Sequence, residues 1–232
     1  MCYNIHPVNN RPAHLPRTQA FAGVLLLGVF LLACRVSVSP RSWPEFEPGS
    51  LLFQDDFSDP ESGWDRVPEA LHGSLDYQDQ AYRISVAGEH QMLWSGPGLE
   101  FRDARLEVDA QHRGEARDDD FGFICRAQDD QNFYYLVVSS DGYYGIGKVV
   151  DGETALIGVQ AMPPSEAIVR GPASNHLRAD CIGDTLSLYA NGLRLASVRD
   201  DEFEHGEVGL LAGTIGALET EVFFDNFSVV NP

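Results

Sequence analysis

The stretch FGFICRAQDDQNFYYLVVSSDGYYGIGKVV, residues 121–150, decides the fold class. It contains three runs of apolar and aromatic residues, and each run stops at residues typical of turns. The runs are Phe121–Arg126 before Asp129-Asp130, Phe133–Val138 before Ser139–Gly142, and Tyr143–Val150 before Asp151-Gly152. Short runs of this composition, separated by so few residues, are typical of strands joined by hairpins. The stretch therefore predicts three consecutive antiparallel strands.

The same pattern continues on both sides, and Asn191-Gly192 is a strong hairpin signal. No helical periodicity of useful length interrupts it. The further predicted strands are 51–57, 81–86, 91–94, 105–111, 176–182, 185–190, 193–198, 208–212 and 221–229. Most connections are too short for the crossovers that parallel strands need. The sequence therefore predicts an all-β domain of two antiparallel sheets, stacked face to face.

The N-terminus has the pattern of an export signal. Ala20–Ala33 is uncharged and apolar or small throughout, and Arg11 and Arg17 precede it. A run of this length is short for a spanning helix and fits the apolar core of a secretory signal. The run ends in Leu31-Leu32-Ala33-Cys34, the pattern of a lipobox, in which the Cys34 thiol receives a diacylglycerol.

This pattern divides the chain into three parts. Residues 1–33 are the predicted signal peptide, 34–50 a lipidated proline-rich tether, and 51–232 the β domain. The expected location is outside the cytoplasm, with Cys34 holding the protein on the outer face of a bacterial membrane. An uncleaved signal anchor and a plain secreted protein are the alternatives.

The charge balance is strongly acidic. The 232 residues include 16 Lys and Arg against 35 Asp and Glu, a formal net charge of −19. Removing residues 1–33, with two arginines and no acidic residue, leaves −21. Such a surface repels nucleic acid, which we exclude as a partner, and suits solubility, divalent cations or neutral ligands.

Two cysteines remain after processing, Cys125 and Cys181, both in predicted strands. An exported protein meets an oxidising compartment, so the pair is expected to form a disulfide. Two buried free thiols are the alternative. The spacing fits no common zinc site.

Several stretches together resemble the concanavalin A-like lectin/glucanase superfamily. They are FQDDFSD (53–59) with Trp64, residues 121–148, NHLRADCIGDTLSLYANG (175–192), GEVGLLAG (206–213) and VFFDNFSV (222–229). More closely, they resemble the laminin G-like and 3-keto-disaccharide-hydrolase-like (DUF1080-type) jelly-roll domains of bacterial exported proteins. The resemblance implies a jelly-roll sandwich over residues 51–230. It does not decide between binding and catalysis, because this fold carries both.

The resemblance also suggests one cofactor, calcium. In such jelly rolls the first and last strands lie side by side, which would bring Asp56 near Asp225 and Asn226. Calcium takes hard oxygen ligands of this kind. The alternative is that both aspartates accept hydrogen bonds from nearby backbone amides.

An enzyme of this fold would need two converging carboxylates. The laminarinase-like branch carries Glu-x-Asp-x-x-Glu on one strand, and the nearest match is Glu107, Asp109 and then His112. The third position lacks the carboxylate, so Glu107 and Asp109 are weak catalytic candidates. A glycoside hydrolase acting on (3-keto-)disaccharides or glucans remains an alternative.

A binding module would use aromatic rings and polar groups instead. The candidate ligand-binding residues are Trp94, Arg126, Tyr134, Tyr143 and Tyr144. Because neighbouring strand residues point to opposite faces, Tyr134 and Tyr135 cannot both enter the core. Asp118-Asp119-Asp120 is interpreted as a turn first and a ligand loop second. The favoured function is a non-catalytic module for a glycan or an envelope component, and a structural or protein-partner domain is the remaining alternative.

Overall fold

The computed structural model describes residues 4–5, 43–44, 46–114, 118–217 and 219–232. The predicted all-β class is confirmed, since none of these residues lies in a helix. The described part of the chain therefore contains no helix that could cross a membrane. Nearly all of the predicted signal peptide, and Cys34, lie outside the described residues.

Seventeen strands form the domain. They are β1 (Asn4–Ile5), β2 (Leu51–Asp55), β3 (Val67–Ala70), β4 (Gly73–Gln78), β5 (Ala81–Ala87), β6 (Gln91–Ser95), β7 (Glu100–Phe101), β8 (Ala104–His112), β9 (Asp119–Asp129), β10 (Asn132–Val138), β11 (Tyr144–Val150), β12 (Glu153–Leu156), β13 (Ser174–Ile182), β14 (Thr185–Ala190), β15 (Leu193–Arg199), β16 (Gly206–Thr214) and β17 (Glu219–Val230).

The strands form two sheets, as the turn pattern predicts. The eight-stranded sheet has the order β1-β6-β16-β9-β10-β11-β12, with β7 also paired to β16. The nine-stranded sheet has the order β15-β14-β13-β8-β17-β5-β4-β3, with β2 also paired to β17. Apart from the short parallel contact of β1 with β6, every described pair is antiparallel. This is the two-sheet antiparallel jelly-roll sandwich expected from the sequence.

The main core lies between the sheets and follows the alternation of the strands. On β9, Phe121, Phe123 and Cys125 point inward, and on β10 Tyr134 and Leu136 do the same. Burying such side chains contributes about 1.5–3 kcal/mol each, before the conformational entropy they lose is counted. The shared inward face of alternate residues fixes the register of both strands.

A second apolar cluster covers the outer face of the eight-stranded sheet. Its members are Met92, Trp94, Ile124, Ala127, Phe133, Tyr135, Val137, Val149, Leu211 and Ile215. Both faces of this sheet are therefore buried over much of their area. This explains why β10 reads as a continuous apolar run instead of an alternating one.

A disulfide joins the two sheets, and the predicted pairing is confirmed. Cys125 on β9 and Cys181 on β13 are bonded across the core, 56 residues apart in sequence. The sulfur atoms are buried among inward-facing residues of both sheets.

The sandwich has two distinguishable ends. At the tether end, β2 begins and β17 finishes, and Val230 is paired with both Leu51 and Arg105. At the far end, β8 finishes and β9 begins, and His112 Nε2 lies 3.0 Å from Asp119 Oδ2. β8 spans nine residues between these ends, about 27 Å at strand rise.

The last residues of the predicted tether are fixed to the domain. Gly49 N donates to Asn231 O at 2.8 Å, Asn231 N donates to Ser50 O at 2.9 Å, and Asn231 Nδ2 donates to Phe46 O at 2.8 Å. The compact unit accordingly begins at Phe46, together with residues 1–8. Residues 9–45 form a separate unit, of which the structure describes Trp43 and Pro44.

Candidate functional site

A cavity of about 650 Å³ opens on the outer face of the eight-stranded sheet, at its far end. This volume falls within the range of small-molecule binding sites. Its walls come from the starts of β9 and β11, from β10 and β12, and from the loop after β12. The described lining residues are Asp118, Asp120, Tyr135, Ser139, Asp141, Tyr143, Thr154, Ala155, Leu156, Val159, Gln160, Ala161, Met162 and Ile215.

The Tyr135 ring forms the floor of the cavity. Across the sheet it pairs with Gly147 on one side and Ile124 on the other. A Cβ atom on Gly147 would stand 2.2 Å from both Cζ and the hydroxyl oxygen of Tyr135. The ring therefore lies over Gly147, and only glycine leaves room for it at that position.

Two polar groups of the cavity wall lack hydrogen-bond partners within the described part of the chain. Tyr135 is 3% exposed, and its hydroxyl makes no hydrogen bond to a described residue. The hydroxyl of Thr154, on β12, is also buried without a partner. An unpaired buried hydroxyl is costly, so the Thr154 hydroxyl is one that a bound ligand would satisfy. The Tyr135 hydroxyl, on the cavity floor, is open to the same ligand.

Three carboxylates line the far end of the cavity. Asp118, just before β9, and Asp120, on β9, line the cavity, whereas Asp119 points inward. Asp119 accepts hydrogen bonds from Thr220 Oγ1 at 2.8 Å and Ser140 N at 2.8 Å. Asp141 lies in the turn between β10 and β11 and accepts a short hydrogen bond from the Ser139 hydroxyl. The three neighbouring aspartates of the sequence thus divide between the cavity and the core.

The carboxylates and the tyrosine influence one another electrostatically. Burial raises the pKa of Asp118, the negative charges of Asp141 and Asp119 raise it further, and His90 acts in the opposite direction. Burial also raises the pKa of Tyr135, with a smaller contribution from the charge of Asp120. The cavity therefore concentrates negative charge near the aromatic ring of Tyr135.

The opposite wall is apolar and is held by backbone hydrogen bonds. Tyr144 N donates to Pro163 O at 3.1 Å, and Ser165 N donates to Gly142 O at 2.9 Å. This brings Met162 against the strand, where a Cβ atom on Gly145 would stand 3.1 Å from its Cγ. The cavity thus has an apolar side and an acidic side, as a ligand with one apolar face and several polar groups requires.

The structure distributes the predicted aromatic residues over both faces of the sheet. Tyr143 lines the cavity and is 40% exposed. Trp94 lies on the same outer face but is 8% exposed and packs against Phe133 with ring centroids 6.1 Å apart. Tyr134 and Tyr144 point toward the main core. Of these four, only Tyr143 is placed where a ligand in the cavity would touch it.

Arg126, the remaining candidate ligand-binding residue, is buried at the tether end of the sandwich. It is 2% exposed, and its guanidinium donates to Arg102 O at 3.1 Å and Phe203 O at 3.0 Å, with Asp103 Oδ1 at 3.3 Å. Its φ of 55° turns the side chain out of the strand alternation. The side chain is therefore used to join loops at the tether end and is far from the cavity.

Glu107 and Asp109 lie on the outer face of the nine-stranded sheet, away from the cavity. His176 Nδ1 is 2.8 Å from Asp109 Oδ1, and His176 Nε2 is 3.9 Å from Glu107 Oε2. Asn226 Nδ2 donates to Asp109 Oδ2 at 3.0 Å. The two weak catalytic candidates are thus paired with neighbours on an open sheet surface.

Asp56 and Asp225 come near each other, and each accepts a hydrogen bond from a residue next to it in sequence or two positions on; the calcium site stays a prediction. Asp56 Oδ1 accepts from Ser58 N at 3.1 Å and from Ser58 Oγ at 2.7 Å, and Asp225 Oδ1 accepts from Asn226 N at 2.7 Å. Burial, Asp109 and Asp56 raise the pKa of Asp225. Among the described residues no three His, Cys, Asp or Glu side chains are grouped as metal ligands.

Most residues of the cavity were not singled out from the sequence. Asp118 and Asp120 appear there only as part of an acidic turn, and Tyr135 only as a ring opposite to Tyr134. The signal that could have found the site is the alternation around Gly145 and Gly147, which leaves space on one face of β11. Asp141 and Thr154 carry no such signal, because the fold alone brings them to the cavity.

Comparison with known proteins identifies the fold. A carbohydrate-binding module, CBM66, from Bacillus subtilis superposes with a TM-score of 0.59 at 17% identity, over 72% of this chain and 95% of that chain. A protein of unknown function with a galectin-like fold, also from Bacillus subtilis, gives 0.56 at 11% identity, over 81% and 98%. The GH43 protein BlXynB from Bacillus licheniformis gives 0.55 at 16% identity, over 77% of this chain and 39% of its own.

No protein-family model and no curated protein sequence matches the chain. At these identities the structural likeness establishes the fold alone. The predicted resemblance to the concanavalin A-like lectin/glucanase superfamily is confirmed at that level, as a jelly-roll sandwich.

Proposed function

We propose that this protein is an exported glycan-binding module, held on the outer face of a bacterial membrane by a lipid on Cys34. The observation that carries the proposal is the cavity on the outer face of the eight-stranded sheet. It combines the Tyr135 floor, the exposed Tyr143 ring and an apolar wall with three carboxylates.

This combination matches the chemistry of a sugar. A pyranose ring has an apolar face of C–H groups that packs on aromatic and aliphatic side chains, and hydroxyls at its edge that hydrogen-bond to carboxylates. The unpartnered hydroxyls of Tyr135 and Thr154 would gain partners from such a ligand. The similarity of the fold to a carbohydrate-binding module and to a GH43 protein is consistent with the proposal.

The position of the cavity suits display outward from a membrane. The tether joins the domain at the end where Leu51 and Val230 pair, and the cavity opens at the opposite end, about 27 Å away along β8. Cys34 precedes Phe46 by twelve residues, which reach at most about 40 Å when extended. A lipid-anchored domain would therefore present its cavity to the extracellular side.

Glycoside hydrolysis is the second candidate function, and one observation favours it. Asp118 and Asp141 lie close enough in the cavity for the charge of Asp141 to raise the pKa of Asp118. Glycosidases use such carboxylate pairs, in which one partner stays protonated as the general acid. Glu107 and Asp109 do not add to this candidate, because they lie on the other sheet.

The test is a glycan-array screen with the full-length protein in mild detergent, comparing the unchanged chain with Tyr143→Ala. We expect saturable binding to a restricted set of glycans, reduced about tenfold or more by the substitution, because stacking on the ring is lost. Tyr189→Ala is the matched control, since Tyr189 stacks with Arg178 on the outer face of the other sheet.

A blank array from folded protein would overturn the glycan proposal and favour a protein partner in the envelope. If Tyr143→Ala and Tyr189→Ala reduce binding equally, the cavity is not the glycan-binding site. Release of reducing ends from a bound glycan, abolished by Asp118→Asn, would establish the hydrolase instead of the non-catalytic module.

A further inference from the structure

The cavity has an unbalanced charge. Asp118, Asp120 and Asp141 line it, and none of the described lining residues is Lys, Arg or His. Asp118 and Asp141 form no ion pair with a described basic side chain. By contrast, the buried Asp180 is paired with Arg105 at 3.0 Å and with Arg178 at 2.6 Å.

The negative charge is also costly to the folded protein. The rise in the pKa of Asp118 comes from burial and then from the charges of Asp141 and Asp119. A cation placed between Asp118 and Asp141 would remove that repulsion. Asp118 and Asp141 therefore favour a positively charged ligand, since His90 offsets the repulsion only in part and no described lining residue is basic.

A second observation, independent of the carboxylates, marks the same volume as a ligand site. The Tyr135 side chain is only 3% exposed and lines the cavity. Its hydroxyl has no hydrogen-bond partner among the described residues. The buried hydroxyl of Thr154 is in the same situation on the adjoining wall. Both hydroxyls are available to a polar ligand atom inside the cavity.

The remaining walls define the kind of cation. Leu156, Val159 and Met162 form an apolar side, and Tyr143 adds an exposed aromatic ring. A bare metal ion would gain nothing from these surfaces, because it requires oxygen ligands on all sides. An organic ammonium uses all of them, since its carbon body packs on the apolar side and its charge is attracted to carboxylates and ring faces.

We propose that the cavity selects glycans that carry a protonated amine, that is, oligosaccharides of hexosamine with a free amino group, over neutral and acidic glycans. This inference rests on the proposed glycan-binding function and names the ligand class of the same site. The ammonium group lies at the Asp118 and Asp141 side, and the sugar rings pack on Tyr143 and the apolar wall. Acidic glycans are repelled by the same carboxylates.

The experiment compares three tetrasaccharides that differ chiefly in charge, by calorimetric titration of the full-length protein in mild detergent. They are the tetramers of glucosamine, of N-acetylglucosamine and of galacturonic acid. At about pH 6 an amine of ordinary pKa is protonated and a carboxyl of ordinary pKa is charged. We expect the glucosamine tetramer to bind at least about fivefold more tightly than the N-acetylated one, and the acidic tetramer to bind most weakly.

Asp141→Asn tests whether the preference comes from the cavity, and Asp118→Asn is the second variant in case the first is poorly folded. Each should remove most of the preference, measured as the ratio of the two affinities, for the glucosamine tetramer over the N-acetylated one, whatever the loss of affinity common to both. Asp201→Asn is the matched control, since it removes the same charge from an exposed position at the tether end, beside Phe203 and Glu204.

The outcomes separate this inference from the function on which it rests. Charge selection is overturned, while glycan binding stands, if the N-acetylated tetramer binds as tightly as the glucosamine tetramer and neither Asp141→Asn nor Asp118→Asn changes the ratio of the two affinities. If Asp201→Asn weakens the preference equally, the effect belongs to the net charge and the inference fails. If no tetramer binds to the folded protein, the inference fails, and glycan binding then depends on the array screen alone.

Discussion

The Tyr135 hydroxyl is a group in which stability and proposed binding are opposed. It is buried, lacks a described partner and faces the cavity, whereas the neighbouring Tyr134 hydroxyl donates to Asp200 Oδ1 at 2.6 Å and accepts from Phe203 N at 3.1 Å. The folded protein therefore provides hydrogen-bond partners for the Tyr134 hydroxyl and none, among the described residues, for the Tyr135 hydroxyl.

Tyr135→Phe should change the free energy of unfolding by less than about 1 kcal/mol, because the hydroxyl has no described hydrogen-bond partner to lose and the ring remains. Its affinity for a glycan found on the array should fall by about three- to tenfold. Tyr134→Phe is the control and should show the reverse, a loss of about 1–3 kcal/mol of stability with affinity unchanged. Urea unfolding followed by tryptophan fluorescence, with calorimetric titration, measures both; equal behaviour of the two variants would contradict this division of roles.

Asp118→Asn should make the domain more stable at neutral pH. The pKa of Asp118 is raised in the folded state, so its charged form is disfavoured there, and folding loses stability as pH rises through that pKa. We expect the melting temperature of the variant to exceed that of the unchanged protein by about 1–2 °C at neutral pH. The difference should vanish at about pH 3, where the carboxyl is protonated in both states. A difference that persists in acid would show that the substitution acts through packing and not through charge.

At the scale of the strands, the hairpins followed from local chemistry. Asn191-Gly192 joins β14 to β15 and Asp151-Gly152 joins β11 to β12, and both Asn191 and Asp151 have the positive φ that such turns need. β3 and β4 were not predicted, because VPEA contains a proline and GSLDYQ has few residues that favour strands. The pairing of β6 with β16 has no local signal, since more than a hundred residues separate them.

The site was less predictable than the strands because it too depends on contacts between residues that are far apart in sequence. Alternation states that Tyr134 and Tyr135 face opposite ways, but it does not state which one enters the core. That choice depends on β9 and β11, where Tyr135 lies between Ile124 and Gly147. Asp141 reaches the cavity from a turn and Thr154 from a neighbouring strand, and only the assembled sheet brings them together.

The disulfide is the covalent link between the two sheets, and its removal should be felt by the whole fold. Replacing both Cys125 and Cys181 with alanine should lower the free energy of unfolding by about 4 kcal/mol, because the unfolded chain regains the freedom of a loop of 56 residues. Denaturant unfolding of this variant, compared with the unchanged protein with and without reductant, measures the effect. A loss below about 1 kcal/mol would mean that the apolar core alone defines the stability.

For the whole molecule, the lipid anchor proposed on Cys34 can be tested directly. Cys34→Ala should transfer the protein from the membrane fraction to the soluble fraction of cells, because the lipid has no attachment site. Mass spectrometry of the unchanged protein should find a diacylglyceryl group on Cys34 as its first residue. Cys2→Ala is the matched control and should leave the protein in the membrane fraction. An unmodified Cys34 in membrane-bound protein would contradict lipid anchoring.

The hydrogen bonds that join the end of the tether to Asn231 have a mechanical consequence. If a surface pulls on a bound ligand while the anchor holds residue 46, the tension runs through the sandwich along its strands. β2 is paired with β17 from Leu51 to Asp55, and its hydrogen bonds lie across the direction of pull. They are loaded together in shear instead of opening one after another. A domain anchored and loaded as proposed would therefore resist unfolding under such tension.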